Sequence, residues 1–216
     1  MKKFFLLAIT MVLWSCSGDD SSSGIKTLPT SIAITTNIDD ETETRSFSYD
    51  ETGRLTSATV YGVTYAIGYD NKSRFNVITS AQGSATFTYG SNNKLSSATG
   101  VDGDVIPIVW TSNNTLAIDG TTYTYASNND FSAVGQSQIA RGSGKGVFAD
   151  VRSFDPLIVA FMDTWAPIYA SKKVATSYTN LGEQAVVATA TVNEDGFPST
   201  YVFVDVATMA ITYMQQ

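Results

Sequence analysis

Side chains that could carry out acid–base or nucleophilic chemistry are scarce in this chain. Its 216 residues include no histidine and one cysteine, Cys16. Histidine is the commonest general base and a frequent zinc ligand, so its absence excludes Ser-His-Asp and Cys-His arrangements as well as most zinc sites. Catalysis would have to depend on Asp, Glu, Tyr or Lys alone. We therefore expect a protein that is not an enzyme, with no catalytic residues and no cofactor.

Two local patterns partly resemble ligand-binding loops. Residues 142–146 read Gly-Ser-Gly-Lys-Gly, but a phosphate-binding loop needs a glycine five residues before its Gly-Lys pair and Ser or Thr after it. Ile139 and Gly146 occupy those places. Acidic residues cluster at 39–43 and 102–104 without the spacing of a calcium loop. We expect solvated loops there and predict no metal site.

Aromatic residues are the remaining candidates for binding. The chain has 11 Tyr, 11 Phe and 3 Trp. Four aromatic residues could stack on sugar rings or line an apolar groove: Trp110, Tyr123, Tyr125 and Trp165. The alternative is that alternating aromatics form the core face of a sheet, where cross-strand pairs stabilise hairpins. Tyr61 and Tyr178 lie outside the repeat described next, so Tyr61, Tyr178 and Trp165 are the candidate ligand-binding residues.

A repeated spacing predicts the elements that must position these side chains. An apolar or aromatic pair at i and i+2 is followed, six residues after the second member, by another apolar residue. The five units are Phe47, Tyr49 and Leu55; Ile67, Tyr69 and Phe75; Phe87, Tyr89 and Leu95; Ile108, Trp110 and Leu116; Tyr123, Tyr125 and Phe131. Alternation with a period of two indicates strands, and the Asp, Asn, Gly and Ser between them indicate hairpin turns. The steps are too short for parallel crossovers.

One segment departs from this pattern and predicts a helix. Asp155-Pro156 is typical of an N-cap followed by proline at the first helical position. Apolar residues then follow at helical spacing from Leu157 to Tyr169. The predicted fold is therefore mainly β: a curled antiparallel meander of hairpins with one amphipathic helix, near residues 155–170, packed on its concave face.

The first residues resemble a bacterial lipoprotein signal. Lys2 and Lys3 precede an apolar run, residues 4–13, which is too short to span a bilayer. Leu13-Trp14-Ser15-Cys16 resembles the lipoprotein cleavage box, with Trp14 in place of the usual small residue. The resemblance implies a signal peptide at 1–15, lipid on Cys16 and outer-membrane anchoring. A polar tether at 16–29 and a single β-rich domain at 30–216 follow.

Two further resemblances concern family. Residues 17–20, Ser-Gly-Asp-Asp, resemble the acidic surface-export tag of Bacteroidota lipoproteins, which implies cell-surface display. Residues 47–58 are similar to the YD repeat of Rhs-type proteins, with Tyr49-Asp50 followed by Gly53-Arg54-Leu55. Together these features resemble a Bacteroidota lipoprotein family of unknown function, and that resemblance implies a secreted β-rich domain without naming a ligand.

Two functional hypotheses follow. The first is a lipid-anchored, non-enzymatic binding module for a glycan or a protein partner at the membrane. The alternative is a carrier that holds an apolar ligand between sheet and helix, or a structural assembly subunit. The formal net charge of −7 at pH 7 argues against a nucleic-acid partner.

Overall fold

Alternating side chains arrange the chain into sixteen strands and two short helices. The computed structural model describes residues 24–216. The strands are β1 (Thr27–Thr36), β2 (Thr42–Tyr49), β3 (Leu55–Val60), β4 (Val63–Tyr69), β5 (Phe75–Ser80), β6 (Gly83–Tyr89), β7 (Leu95–Thr99), β8 (Val105–Trp110), β9 (Thr115–Ile118), β10 (Thr121–Tyr125), β11 (Phe131–Val134), β12 (Ser137–Lys145), β13 (Lys173–Thr179), β14 (Val186–Val192), β15 (Pro198–Phe203) and β16 (Ala207–Gln215). The helices are α1 (Pro156–Ala160) and α2 (Ala166–Tyr169).

The strands form a closed antiparallel barrel. Each strand pairs with its neighbours in sequence, and β1 pairs with β16 to close the ring. The predictions of a mainly β fold and of antiparallel hairpins are confirmed. The prediction of a curled meander that stays open is wrong, because the sheet closes into a barrel. Closure leaves neither terminal strand as an unpaired edge, which is the physical gain over an open sheet. The first strand begins at Thr27, within the segment that the sequence assigned to the tether.

The two faces of the barrel wall differ in chemistry. Phe47, Ala58 and Tyr65 are paired across β2, β3 and β4 and face the core. The next row, Ser46, Thr59 and Thr64, faces outward, and the Thr59 and Thr64 hydroxyls lie 2.9 Å apart. The same alternation continues across β5, β6 and β7. The wall is therefore apolar toward the lumen and rich in hydroxyl groups outside.

The segment between β12 and β13, residues 146–172, fills the lumen. It holds two short helices, not the single amphipathic helix predicted for the concave face. Asp155 caps α1 as expected, since its Oδ1 accepts the Leu157 N–H at 2.9 Å. Asp163 lies between α1 and α2. Its carboxylate is bonded inside the barrel to Arg45, Tyr61 and Tyr169. No helix among residues 24–216 has the length and apolarity to cross a membrane.

The barrel has two ends, which are named here by their turns. The proximal end carries the turns 50–54, 70–74, 90–94, 111–114, 126–130 and 193–197. Lys26 and Gln216 meet at this end through two backbone hydrogen bonds of 2.8 and 3.0 Å. The distal end carries the turns 37–41, 61–62, 81–82, 100–104, 119–120, 135–136, 180–185 and 204–206.

An Asp carboxylate organises two of the proximal turns, 50–54 and 70–74. Asp50 Oδ1 accepts the backbone N–H groups of Thr52 and Arg54 at 2.9 and 3.0 Å, and its Oδ2 accepts Arg54 Nε at 2.8 Å. Asp70 makes the same three contacts with Lys72 and Arg74. An acceptor side chain that satisfies two turn N–H groups favours Asp or Asn at the first position of such a turn, and Asn193 likewise accepts the Asp195 and Phe197 N–H groups, at 3.1 and 2.9 Å.

Tyrosine hydroxyls join successive hairpins. Tyr69 Oη donates to the Leu55 carbonyl at 2.9 Å. The ladder between β3 and β4 ends at Ser57 and Ala66, so the Leu55 carbonyl lies beyond its last rung. The same contact recurs at Tyr49 with Pro29, Tyr89 with Phe75, Trp110 with Leu95 and Tyr213 with Pro198. Four of the five repeat aromatics, Tyr49, Tyr69, Tyr89 and Trp110, therefore supply a donor to a strand end beyond its last ladder pair. The fifth, Tyr125, instead donates to Asp155 Oδ1 at 3.2 Å.

We predict that Tyr69→Phe lowers the free energy of unfolding by about 1 kcal/mol, because the Leu55 carbonyl loses its donor while the ring packing is kept. Urea denaturation followed by circular dichroism measures the change. Tyr65→Phe is the matched control, since Tyr65 packs against the same core from β4. Equal effects of the two substitutions would contradict a role for the hydroxyl contact.

Asp50 predicts an acid-dependent loss of stability. Although burial opposes ionisation, hydrogen bonds from Thr52 and Arg54 lower the pKa of Asp50 from 3.8 to about 2. The unfolded chain then binds the proton first, so the contribution is present above pH 4 and is lost as pH falls toward 2. In Asp50→Asn, unfolding free energy should fall less steeply over that range. The control Glu51→Gln should keep the wild-type slope.

Candidate ligand-binding site

A cavity of about 360 Å³ lies inside the barrel at its distal end. Residues of the lumen segment form one wall, and β11 to β15 with their turns form the other. The lining residues are Val134, Ser137, Ile139, Thr164, Trp165, Pro167, Ile168, Tyr178, Asn180, Val186, Phe203 and Val206. Several of them flank the distal turns 135–136, 180–185 and 204–206, which places the cavity at that end.

The body of the cavity is apolar. Ile139 and Phe203 are buried and project from the barrel wall, while Ile168 is buried on α2 opposite them. Trp165 and Val186 are half-buried and complete the lining. An apolar group that enters this space leaves water and contacts side chains on several sides, which stabilises it by roughly 25 cal/mol per Å² of buried area.

One side of the cavity carries a connected set of polar groups. Ser137 Oγ donates to Asn180 Oδ1 at 2.7 Å, and the Tyr178 hydroxyl donates to the same oxygen. Asn180 Nδ2 in turn donates to Glu183 Oε2 at 2.9 Å. These contacts fix the Tyr178 ring and leave the polar groups grouped at one edge. A few placed polar groups in an apolar pocket are what orient a small ligand.

The structure brings the three candidate binding residues to one region. Trp165 and Tyr178 both line the cavity. Tyr61 lies in the distal turn between β3 and β4 and is 48% exposed. Its hydroxyl lies 3.3 Å from Oγ1 of Thr164, which lines the cavity. Tyr178, whose position outside the repeat favoured an exposed side chain, is half-buried. Cys16, the predicted lipid-attachment residue, lies outside the described residues.

A buried ion pair anchors this wall of the cavity. Arg45 and Asp163 are 0% and 2% exposed, with Arg45 Nε 2.9 Å from Asp163 Oδ2. Asp163 also accepts the Tyr169 hydroxyl at 2.6 Å and the Tyr61 hydroxyl at 3.1 Å. The backbone N–H of Trp165 donates to Asp163 Oδ1 at 3.0 Å. Asp163 therefore holds the backbone that presents Thr164 and Trp165 to the cavity.

The charges of this network are matched. Burial disfavours a charged guanidinium, but the hydrogen bond and the charge of Asp163 raise the pKa of Arg45. Burial, with the Asp163 charge, raises the pKa of the Tyr169 phenol well above its ordinary value, so Tyr169 remains a neutral donor. Sequence reasoning missed this network. The sequence signal for the network was Arg45, a charged residue two positions before Phe47. Residues two apart on a strand share a face, so Arg45 points inward with Phe47.

The other aromatic candidates have structural partners. A second cleft, of about 390 Å³, lies at the proximal end and includes Trp110 and Tyr125 in its lining. Lys94 Nζ lies 4.3 Å from the centroid of the Trp110 ring, and Tyr125 stacks on Trp110 with centroids 6.2 Å apart. Tyr123 is half-buried and packs on Phe131. Their faces are therefore occupied by side chains of the barrel.

Acidic groups do not gather into a metal site in the described part of the chain. Among residues 24–216, no group of three or more His, Cys, Asp or Glu side chains is placed to hold a metal ion.

Comparison with known proteins gives limited similarity. No protein-family model matches the chain, and a search of curated proteins finds no significant match. The chain is similar to the crystal structure of a porin-like protein from Bacteroides uniformis, at 16% sequence identity and a TM-score of 0.39. That alignment covers 86% of this chain and 98% of the other. The closed barrel described above follows from this chain's own strand pairing.

We predict that Arg45→Met lowers the free energy of unfolding by about 3–5 kcal/mol, because it leaves the Asp163 carboxylate buried without its counter-charge. Chemical denaturation measures the loss. Arg54→Met is the matched control: its partner Asp50 lies at the surface, so the expected loss is about 1 kcal/mol or less. Similar losses in both variants would contradict the role assigned to the buried pair.

Proposed function

We propose that this protein is a non-enzymatic binding protein that holds a small ligand with an apolar body in the distal cavity. The carrying observation is the cavity itself, which lies between the 146–172 segment and the barrel wall and has a largely apolar lining. Its volume of about 360 Å³ suits a small molecule, since ligand sites commonly measure ~300–1,000 Å³. This is the carrier hypothesis, with the ligand held between α2 and the barrel wall.

The lining supports a ligand with two unlike parts. Ile139, Ile168 and Phe203 would take the apolar body, and Trp165 offers a large ring at low conformational cost. The Ser137, Tyr178 and Asn180 set would receive a polar group at the opposite edge. A ligand of this kind gains affinity from burial of its body and orientation from its polar end.

The position of the first described residues supports a proposal for which way the cavity faces relative to the membrane. The described chain begins at the proximal end, where Lys26 pairs with Gln216, and the cavity lies at the distal end. If Cys16 carries lipid, as its sequence context predicts, the tether holds the proximal end near the membrane and the cavity faces away from it. The hydroxyl-rich outer face favours contact with water around the barrel. We propose an outer-membrane, lipid-anchored location on these grounds.

A glycan or protein partner at the surface is the second hypothesis. A specific observation in its favour is Tyr61, which is 48% exposed beside the cavity although the Arg45 guanidinium lies 4.7 Å from its ring centroid. Trp110 gives it less support, because Lys94 and Tyr125 already cover that ring. The cavity therefore favours the small-ligand function over a flat recognition surface.

The test places a bulkier side chain in the cavity. Val186→Phe should lower the affinity for the neutral apolar probe N-phenyl-1-naphthylamine at least about tenfold, because the added ring fills space that the probe needs. Probe fluorescence measured against protein concentration gives the dissociation constant.

Val187→Phe is the matched control, since it makes the same change one residue later, on the outward face, where Val187 is 60% exposed. It should bind the probe as the wild type does. Equal binding by all three proteins, or no binding by the wild type, would contradict a ligand site in the cavity.

A further inference from the structure

Basic residues are unevenly divided between the two ends of the barrel, whereas carboxylates occur at both, the proximal turns carrying Asp50, Glu51, Asp70, Asp130, Glu194 and Asp195. The distal turns contain eight carboxylates and no lysine or arginine. These are Asp39, Asp40, Glu41, Asp102, Asp104, Asp119, Glu183 and Asp205. The proximal turns, the first described residues and the lumen segment contain seven basic residues: Lys26, Arg54, Lys72, Arg74, Lys94, Arg152 and Lys172. The cavity lies at the end that has only negative charge in its turns.

Two of these carboxylates border the cavity. Glu183 Oε2 accepts a hydrogen bond from Asn180 Nδ2 at 2.9 Å, and Asn180 lines the cavity. Asp205 lies in the turn between β15 and β16, directly before the lining residue Val206. Both turns are exposed at the distal surface. A ligand that enters past these turns meets two carboxylates at the mouth.

Two arginines lie behind the cavity wall, and protein groups engage both. Arg141 Nη1 and Nη2 donate to the carbonyls of the lining residues Ile168 and Pro167, at 2.8 and 2.6 Å. Arg45 pairs with Asp163 and with Glu43, at 2.9 and 3.1 Å. Its fully buried guanidinium is engaged by these partners. The negative field of the distal turns therefore meets no compensating cation among the residues that line the cavity.

The ring side chains of the cavity suit the same kind of ligand. Trp165 and Tyr178 line the cavity, and aromatic rings attract ammonium groups, most strongly when water is excluded. Carboxylates at a mouth lined by low-dielectric walls raise the local concentration of cations and repel anions. Carboxylates and aromatic rings at one site are both complementary to an ammonium group.

We infer that the ligand of the distal cavity is an apolar molecule that carries a positive charge, such as an amphipathic amine. This inference rests on the proposed function, and it adds the charge of the ligand. The apolar body lies against Ile139, Ile168 and Phe203, and the cationic group lies toward Glu183 and Asp205. Anionic amphiphiles of the same length are disfavoured by the same carboxylates.

The test compares ligands that differ in the head group alone. Octylammonium, octanol and octanoate are titrated against the protein with bound N-phenyl-1-naphthylamine, and displacement gives each affinity. At low ionic strength octylammonium should bind at least about tenfold more tightly than octanoate, with octanol between them. The difference should shrink as salt is added, because the carboxylates lie near the surface.

Paired variants separate local charge from net charge. Glu183→Gln with Asp205→Asn should remove most of the preference, while Asn at 205 still tolerates the positive φ of 60° found there. Asp102→Asn with Asp104→Asn removes the same charge from the turn between β7 and β8, away from the cavity, and should retain the preference.

The outcomes distinguish the inference from the function. Probe binding that Val186→Phe abolishes, together with equal affinity for the three head groups or a preference for octanoate, would overturn the inference and leave the proposed function intact. A preference lost equally in both paired variants would also overturn it. Absence of any probe binding by the wild type would overturn the function itself.

Discussion

The hydrogen bond from a repeat aromatic to the end of the preceding hairpin, made by four of the five units, is the constraint on which the barrel depends. Tyr69 reaches the Leu55 carbonyl and Tyr89 reaches the Phe75 carbonyl, at 2.9 Å in both cases. Each carbonyl lies beyond the last ladder pair, so without the aromatic donor the strand ends would lack a partner at the proximal rim. The arginine of the preceding turn covers the same ring, with Arg74 Cζ 4.1 Å from the Tyr89 centroid. One side chain thus joins strand, turn and neighbouring hairpin, and repetition of this unit extends the sheet until β1 meets β16.

A wall built in this way encloses a lumen that must be filled. The 146–172 segment fills most of it with buried apolar side chains, including Phe148 and Ile158. The buried carboxylate of this segment, Asp163, is stabilised inside the barrel because Arg45 projects inward from β2 and because Tyr169 and Tyr61 donate to it. This arrangement fixes the segment near the distal end and leaves the cavity beside Trp165. The proposed ligand site is therefore the space that remains between a fixed lumen segment and the barrel wall.

The strands were predictable because their signal is local. Alternation with a period of two and Asp-centred turns placed each hairpin, and Asp155 predicted the start of α1. Closure was not predictable, because the pairing of Ile32 with Ile211 joins residues at opposite ends of the sequence. Between α1 and α2, Asp163 contacts Arg45, 118 residues away, and this long-range partner is not visible in the local pattern. For the site, the repeat register set Tyr61 and Tyr178 apart, and Trp165 was a candidate on its aromatic ring alone. The cavity that Trp165 and Tyr178 share with Ile139 and Phe203 exists only after the barrel has closed.

The most direct test of a ligand site at Trp165 uses fluorine NMR on protein labelled with 5-fluorotryptophan. The chain from Ser17 onward contains two tryptophans, Trp110 and Trp165, so two resonances are expected, which Trp110→Phe assigns. Trp165 lines the distal cavity, whereas Trp110 lies at the proximal end between Lys94 and Tyr125. A saturable shift of the Trp165 resonance on addition of octylammonium, with Trp110 unchanged, is the predicted result. A shift of Trp110 alone, or no shift of Trp165 at saturating ligand, would contradict the account.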